Sequence, residues 1–144
     1  MRISSKGRLA LVALCEMALS DDNQLITLAN LSQKLGCSKL YLEQVFAVLR
    51  RAELVHATKG AGGGYTLAKS IDQLTAYDIL APIELSLFAP TEKTVEQTAA
   101  HIETSLQDFV FLPLDKAVEQ RLKAVTLADL VEKIGAQQSD MYYI

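Results

Sequence analysis

Ser38, Lys39, Tyr41, Glu43 and Gln44 crowd hydrogen-bonding groups into seven residues, and Arg50, Arg51 and Lys59 follow within the next fifteen. Side chains of these types suit the edges of nucleobases. A glutamine amide can pair with adenine at two atoms, and a glutamate can accept from the cytosine amino group. Guanidinium and ammonium groups suit phosphates, which position a protein without reading sequence. The glycine-rich run Gly60-Ala61-Gly62-Gly63-Gly64 invites comparison with a nucleotide-binding loop, but no Gly-Lys-Ser/Thr follows it. Tyr65 also stands where a dinucleotide fingerprint has its last glycine. The chain shows no nucleophile–base pair, metal-ligand spacing or phosphate loop, so nothing in it supports an enzyme.

Specific elements must carry these groups. Ser38 suits a helix N-cap. Leu42, Val45, Phe46 and Leu49 follow the i, i+3, i+4, i+7 rule and predict one buried stripe, with the polar set on the other face. Leu54–Thr58 and Tyr65–Leu67 read as short strands around the glycine tip. Lys59 at its base, with Gly60, Gly62 and Gly63, suits close approach to a phosphate or a minor groove, and Tyr65 is expected among the DNA contacts of the wing. Upstream, Thr27 caps a helix with Leu28, Leu31 and Leu35 inward, and Gly36 ends it. Helix, tight turn, helix and hairpin together predict a winged helix-turn-helix. An ordinary charged surface helix and a plain flexible hairpin are the alternatives that each piece would allow alone.

The remaining chain reads in order. Residues 5–19 form a helix apolar nearly all round, with Leu9, Val12, Ala13 and Met17 as one face and Leu11, Leu14, Cys15 and Ala18 as another, so burial on more than one side is expected; Arg2, Lys6 and Arg8 at its start suit phosphates. A turn at Asp21–Gln24 follows. Thr75 and Asp78 make a capping box, Pro82 ends or kinks that helix, and Phe88-Ala89-Pro90 is a linker. Residues 91–111 have helical spacing at Val95, Ala99, Ile102 and Leu106, and His101 reads as a surface imidazole. Pro113 suits a first helical turn over residues 112–124. Phe111, Leu114, Val118, Leu122 and Val125 give this long helix an apolar stripe that needs a partner surface, which a twofold dimer would supply. Thr126 with Asp129 caps a last helix from Leu127 to Ile134, stopped by Gly135. The apolar tail Ser139–Ile144 packs onto the body or lines a ligand or partner site. Cys15 reads as a small core hydrophobe. Cys37, just ahead of a helix N-terminus, has the setting in which a thiol can become redox-active.

Met1-Arg2-Ile3-Ser4-Ser5-Lys6-Gly7-Arg8, Tyr41-Leu42-Glu43-Gln44, Leu49-Arg50, Leu54-Val55, Lys59-Gly60 through Gly64-Tyr65, and Thr126 to Leu130 resemble the Rrf2 family of bacterial transcription regulators over nearly the whole chain. The resemblance implies operator binding as a homodimer, with the long helix crossing its twin. Well-known relatives carry an iron–sulfur cluster or sense nitric oxide, and others sense cysteine status without a cluster. The cluster-binding members have three cysteines in the segment matching 91–111. This chain has none there, so no cofactor is carried over. The tail resembles the cluster-lacking branch that represses cysteine metabolism. Many relatives have arginine at Lys59; lysine lacks the planar fork, so weaker discrimination is expected there.

Residues 1–70 hold nine Lys/Arg against five Asp/Glu, a net of +4, while residues 71–144 hold five against twelve, a net of −7. The basic charge thus sits with the reading elements. No signal peptide or bilayer-spanning run is visible, so a soluble cytoplasmic protein is expected. The expected architecture is mainly α with a small β wing: a winged helix-turn-helix domain over residues 1–70, then linker helices, a dimerisation helix and a tail over 71–144. The expected partners are double-stranded DNA, a second copy of the chain and a small-molecule or protein effector, with no membrane. The expected role is a sequence-specific regulator, a repressor. A winged-helix protein-interaction module that no longer reads DNA is the alternative, which retention of the polar set disfavours.

Overall fold

Each of the first three helices starts at a side chain that closes its first turn. In the computed structural model Ser4 accepts from the Gly7 N–H ahead of α1 (Ser5–Leu19), Thr27 from Asn30 ahead of α2 (Leu28–Leu35), and Ser38 from Tyr41 ahead of α3 (Lys39–Arg51). Each cap satisfies an orphan backbone donor and is worth about 1 kcal/mol. The structure describes residues 2–20 and 24–142. Met1, most of the expected Asp21–Gln24 turn and the last two residues of the tail lie outside them. Gly36 ends α2 at φ 64°, as expected. At the end of α3, Glu53 takes the left-handed conformation at φ 58°, and the Leu54 N–H reaches back to the Leu49 carbonyl at 3.0 Å.

β1 (Val55–Thr58) and β2 (Gly64–Leu67) pair antiparallel, with Val55 opposite Leu67 and Thr58 opposite Gly64. Ile26 adds a bridge on the other side of β2, exchanging backbone hydrogen bonds of 2.8 and 3.0 Å with Tyr65. The core gathers Leu42, Val45, Phe46 and Leu49 of α3 against Ala10, Ala13, Leu14 and Met17 of α1 and Leu31 of α2. Ala13 and Met17 of one expected face and Leu14 of the other are buried, and Leu9, Leu11, Cys15 and Ala18 pack against the core, but Val12 is 49% exposed and Ala10 is fully buried in addition.

The core does not stop at residue 70, because Leu74, Ile79 and Leu127 join it fully buried. Thr75 and Asp78 cap α4 (Ala76–Leu80) reciprocally at 3.1 and 3.0 Å. Turns and bends fill residues 81–99. Then α5 (Ala100–Leu106), a π turn (Gln107–Phe111) and α6 (Leu112–Lys123) follow without a break. Helix thus covers only the second half of 91–111. The first half folds back, because the buried Glu103 carboxyl accepts from the Thr94 and Val95 N–H groups at 2.9 and 2.8 Å.

Pro113 stands in the first turn of α6, as expected, but α6 continues the helical run from α5 and the π turn instead of starting afresh. The proline has no N–H for the carbonyl four residues back, and its ring crowds that carbonyl in a regular α-turn. The preceding π turn relieves the conflict, with the Leu112 N–H donating to Gln107 five residues back. Helix α7 (Leu127–Tyr142) likewise corrects the expected stop at Gly135. A glycine inside a helix costs about 1 kcal/mol, which does not end a helix whose residues Leu130, Val131 and Ile134 are half-buried on the body. The tail from Ser139 is therefore helical as far as Tyr142, and Met141 is 76% exposed. Backbone bonds from Leu127 to Leu74, Ala76 to Val125 and Ala128 to Ile71, all 2.7–2.9 Å, tie α7 to the winged half. Among the described residues no helix is long and apolar enough to cross a membrane.

A side chain at φ 58° pays a left-handed penalty that glycine does not. Glu53→Gly is therefore expected to raise stability by about 0.5–1 kcal/mol, net of glycine's extra chain entropy. Chemical denaturation would show it as a higher midpoint at unchanged slope.

Candidate nucleic-acid interface

The buried stripe of α3 decides what the helix presents outward. At about 100° per residue, the line opposite Leu42, Val45, Phe46 and Leu49 runs through Leu40, Gln44, Ala47 and Arg51, and all four are exposed. Lys39, Glu43 and Arg50 flank it, also exposed, and Lys39 lies 3.9 Å from Glu43 one turn on. Ser38 is spent on the cap, though its side chain stays accessible. Tyr41 is half-buried at the edge. A search for polar groups passes over Leu40 and Ala47; the signal that finds them is their angular position opposite the stripe.

The wing stands beside this face. Lys59 and Gly62 are exposed at its tip, and Gly60 takes φ 104°. Gly63 is required by the fold itself, since a Cβ there would lie 2.2 Å from the Thr58 carbonyl oxygen. Tyr65 points inward: its ring meets Phe46 edge-on at 4.9 Å between centroids. It thus couples the wing to α3 through the core. Among the described residues Arg50, Arg51, Lys59, Arg2, Lys6 and Arg8 form no ion pair, which leaves their charge available to an external anion.

The start of α1 is fixed by a residue that sequence reading missed. The buried Glu84 carboxyl accepts from the Ser4 N–H at 2.9 Å and the Ser4 hydroxyl at 2.5 Å, and the Ser4 hydroxyl in turn accepts from Gly7. A Cβ on Gly7 would sit 2.2 Å from Glu84 Oε1. Glu84 holds the chain entry that carries Arg2, Lys6 and Arg8, all exposed. A separation of 80 residues hides this partner from any local pattern.

The second surface is the helical run from α5 to α6. Ile102, Leu106, Phe109, Val110, Leu112 and Leu114 are exposed along it, Phe109 to 83%. Of the stripe expected from periodicity, only Leu114 lies here. Phe111, Val118, Leu122 and Val125 are half-buried. The extra residue of the π turn rotates the helix, so a phase read from 112–125 does not carry back across it.

Comparison with known proteins fits this geometry. The model of a family described as "Iron-dependent Transcriptional regulator" matches residues 3–133. The chain belongs to the Rrf2 family. It is 34% identical to the HTH-type transcriptional regulator IscR of Sodalis glossinidius over 91% of this chain and 79% of that one. The structure of CymR, the global cysteine regulator of B. subtilis, superposes with a TM-score of 0.75 at 32% identity, covering 92% of this chain and 98% of that one. The IscR of T. potens gives 0.71 at 29% identity, covering 93% and 88%. The named relatives are regulators and not enzymes. The mainly helical fold with its two-stranded wing is that of the Rrf2 winged-helix regulators.

Within an Rrf2 frame the two kinds of contact separate experimentally. Lys59→Ala is expected to weaken binding to all DNA sequences and to lower the salt slope by about one per wing. Gln44→Ala is expected to lose about 1–3 kcal/mol at particular base pairs and little on random DNA. Fluorescence anisotropy at two salt concentrations on specific and random duplexes distinguishes them. Equal losses on both duplexes for Gln44→Ala would remove its base-reading role.

Proposed function

We propose that this Rrf2 protein is a homodimeric, sequence-specific repressor whose DNA binding does not depend on a cysteine-held iron–sulfur cluster. Two copies of α3 would enter successive major grooves across an inverted repeat, with Lys59 and the wing alongside. The observation that carries the reading is the exposed basic and amide face of α3, where Arg50 and Arg51 form no ion pair among the described residues, built opposite a fully buried stripe. Its contact residues are Arg2, Lys6, Arg8, Ser38, Lys39, Tyr41, Glu43, Gln44, Arg50, Arg51 and the wing tip Lys59–Gly63; Tyr65 serves from behind, by packing.

Dimerisation uses the exposed apolar face of α5, the π turn and α6. Six large apolar side chains on one helical run are more than a lone soluble helix ordinarily shows to water. A twofold axis covers them with their own copies. Leu114 belongs to this face, while the half-buried Phe111, Val118, Leu122 and Val125 support it from behind.

The family description names iron, and the residues here do not fit a thiolate cluster. The segment matching the cluster loop has no cysteine. Glu103 organises it through two backbone N–H groups instead. Among the described residues no group of three or more His, Cys, Asp or Glu is placed to hold a metal. Burial raises the Cys15 thiol pKa and so disfavours the thiolate that binds metal. Cys37 packs against the core at the α2–α3 turn. The likeness to a cysteine regulator makes cysteine supply a signal to test first, through a small-molecule or protein effector.

Phe109→Glu places a charge on the proposed dimer face at a site that contributes nothing to the monomer core. Sedimentation equilibrium is expected to fall from twice the chain mass to the chain mass, with the far-ultraviolet spectrum unchanged and operator affinity reduced at least a hundredfold (about 3 kcal/mol). A wild type that sediments as a monomer while still binding an inverted repeat would overturn the dimer.

A further inference from the structure

We propose that Leu40 is a specificity-determining residue that reads the 5-methyl group of a thymine in the major groove. The inference rests on the reading of α3 as the DNA-facing helix. Leu40 lies in the first turn of α3, directly opposite the buried stripe, and is 65% exposed. It packs into no part of the core. A leucine held clear of the body by its own helix presents an apolar knob outward, between the amide of Gln44 and the ammonium of Lys39. In the major groove the thymine methyl is the one apolar group on a base edge, and leucine offers it carbon contact instead of a hydrogen bond.

Position sharpens the proposal. Leu40 and Gln44 stand one turn apart, about 6 Å along the helix. Base pairs are about 3.4 Å apart along each strand. The two side chains therefore address base pairs one or two steps apart. Gln44 suits adenine, so each half-site is expected to hold a thymine within two base pairs of the pair that Gln44 reads. Ala47, one further turn on in the same exposed row, is too short to compete for that methyl. Neither Glu43 nor Lys39 can reward it, since both need polar partners.

The test removes the methyl and nothing else. The full-length wild type first selects bound duplexes from random sequence. Each thymine of the best duplex is then replaced by deoxyuridine, singly and in both half-sites. Wild-type binding is expected to fall about fourfold for each methyl removed at one symmetric position, the worth of burying one methyl group. Leu40→Ala should bind the thymine duplex more weakly and lose the distinction between thymine and deoxyuridine there. Its thermal midpoint should match the wild type, because Leu40 lies outside the core. Sequence-preferring binding with no deoxyuridine effect, or an equal effect in wild type and Leu40→Ala, overturns the inference and leaves the DNA reading standing. Absence of any preferred sequence overturns both.

Discussion

Everything at the proposed interface depends on how α3 is seated. Four apolar residues on one side of a 13-residue helix lock its rotation against α1 and α2. A rotation by one residue would drive Gln44 toward the core and expose Phe46. Burying a large apolar side chain is worth about 1.5–3 kcal/mol, so four such residues hold the phase firmly. The wing is fastened to the same seat. Tyr65 rests on Phe46 from one side, and its backbone pairs with Ile26 from the other. Recognition helix and wing are thus one unit, and a ligand contacting one feels the placement of the other.

Two buried carboxyl groups fasten the outlying parts. Burying such a group is costly unless donors meet it. Glu84 is met by Ser4 twice, and Glu103 by two consecutive backbone N–H groups. Hydrogen bonds of this kind are stronger than neutral pairs when the acceptor is charged. Glu84 fixes the chain start, where three basic residues stand. Glu103 orders the stretch that cluster-binding relatives assign to thiolates. The Glu103 carboxyl draws Thr94 and Val95 onto the first turn of α5. The acidic surplus of the second half is thus partly internal structure and not only solvated surface.

The elements legible in the sequence are those whose causes are local. The caps at Thr27, Ser38, Thr75 and Thr126, the turn at Gly36, the buried stripe of α3 and the paired strands of the wing each arise within about a dozen residues of chain. Wherever the expectation failed, a distant partner or a competing local rule had intervened. Val12 is exposed because the packing of α1 turns Ala10, Ala13, Leu14 and Met17 inward instead. Gly135 does not stop α7 because Leu130, Val131 and Ile134 rest on the body ahead of it, and one glycine costs less than ending the helix. Pro113 holds its expected place in the first turn of α6, but a π turn that absorbs its missing donor joins that turn to α5.

The sequence by itself determined the winged helix-turn-helix, the polar inventory of its reading face and the absence of thiolates from residues 91–111. Periodicity, capping and composition are properties of neighbours in the chain, and these features need nothing more. Only the tertiary structure decided that Glu84 clamps the start of α1, that Tyr65 faces inward and that Phe109 leads the exposed apolar face. Each depends on which surfaces meet across long separations, or on a one-residue shift in helical phase. Neither is encoded in any short window of sequence.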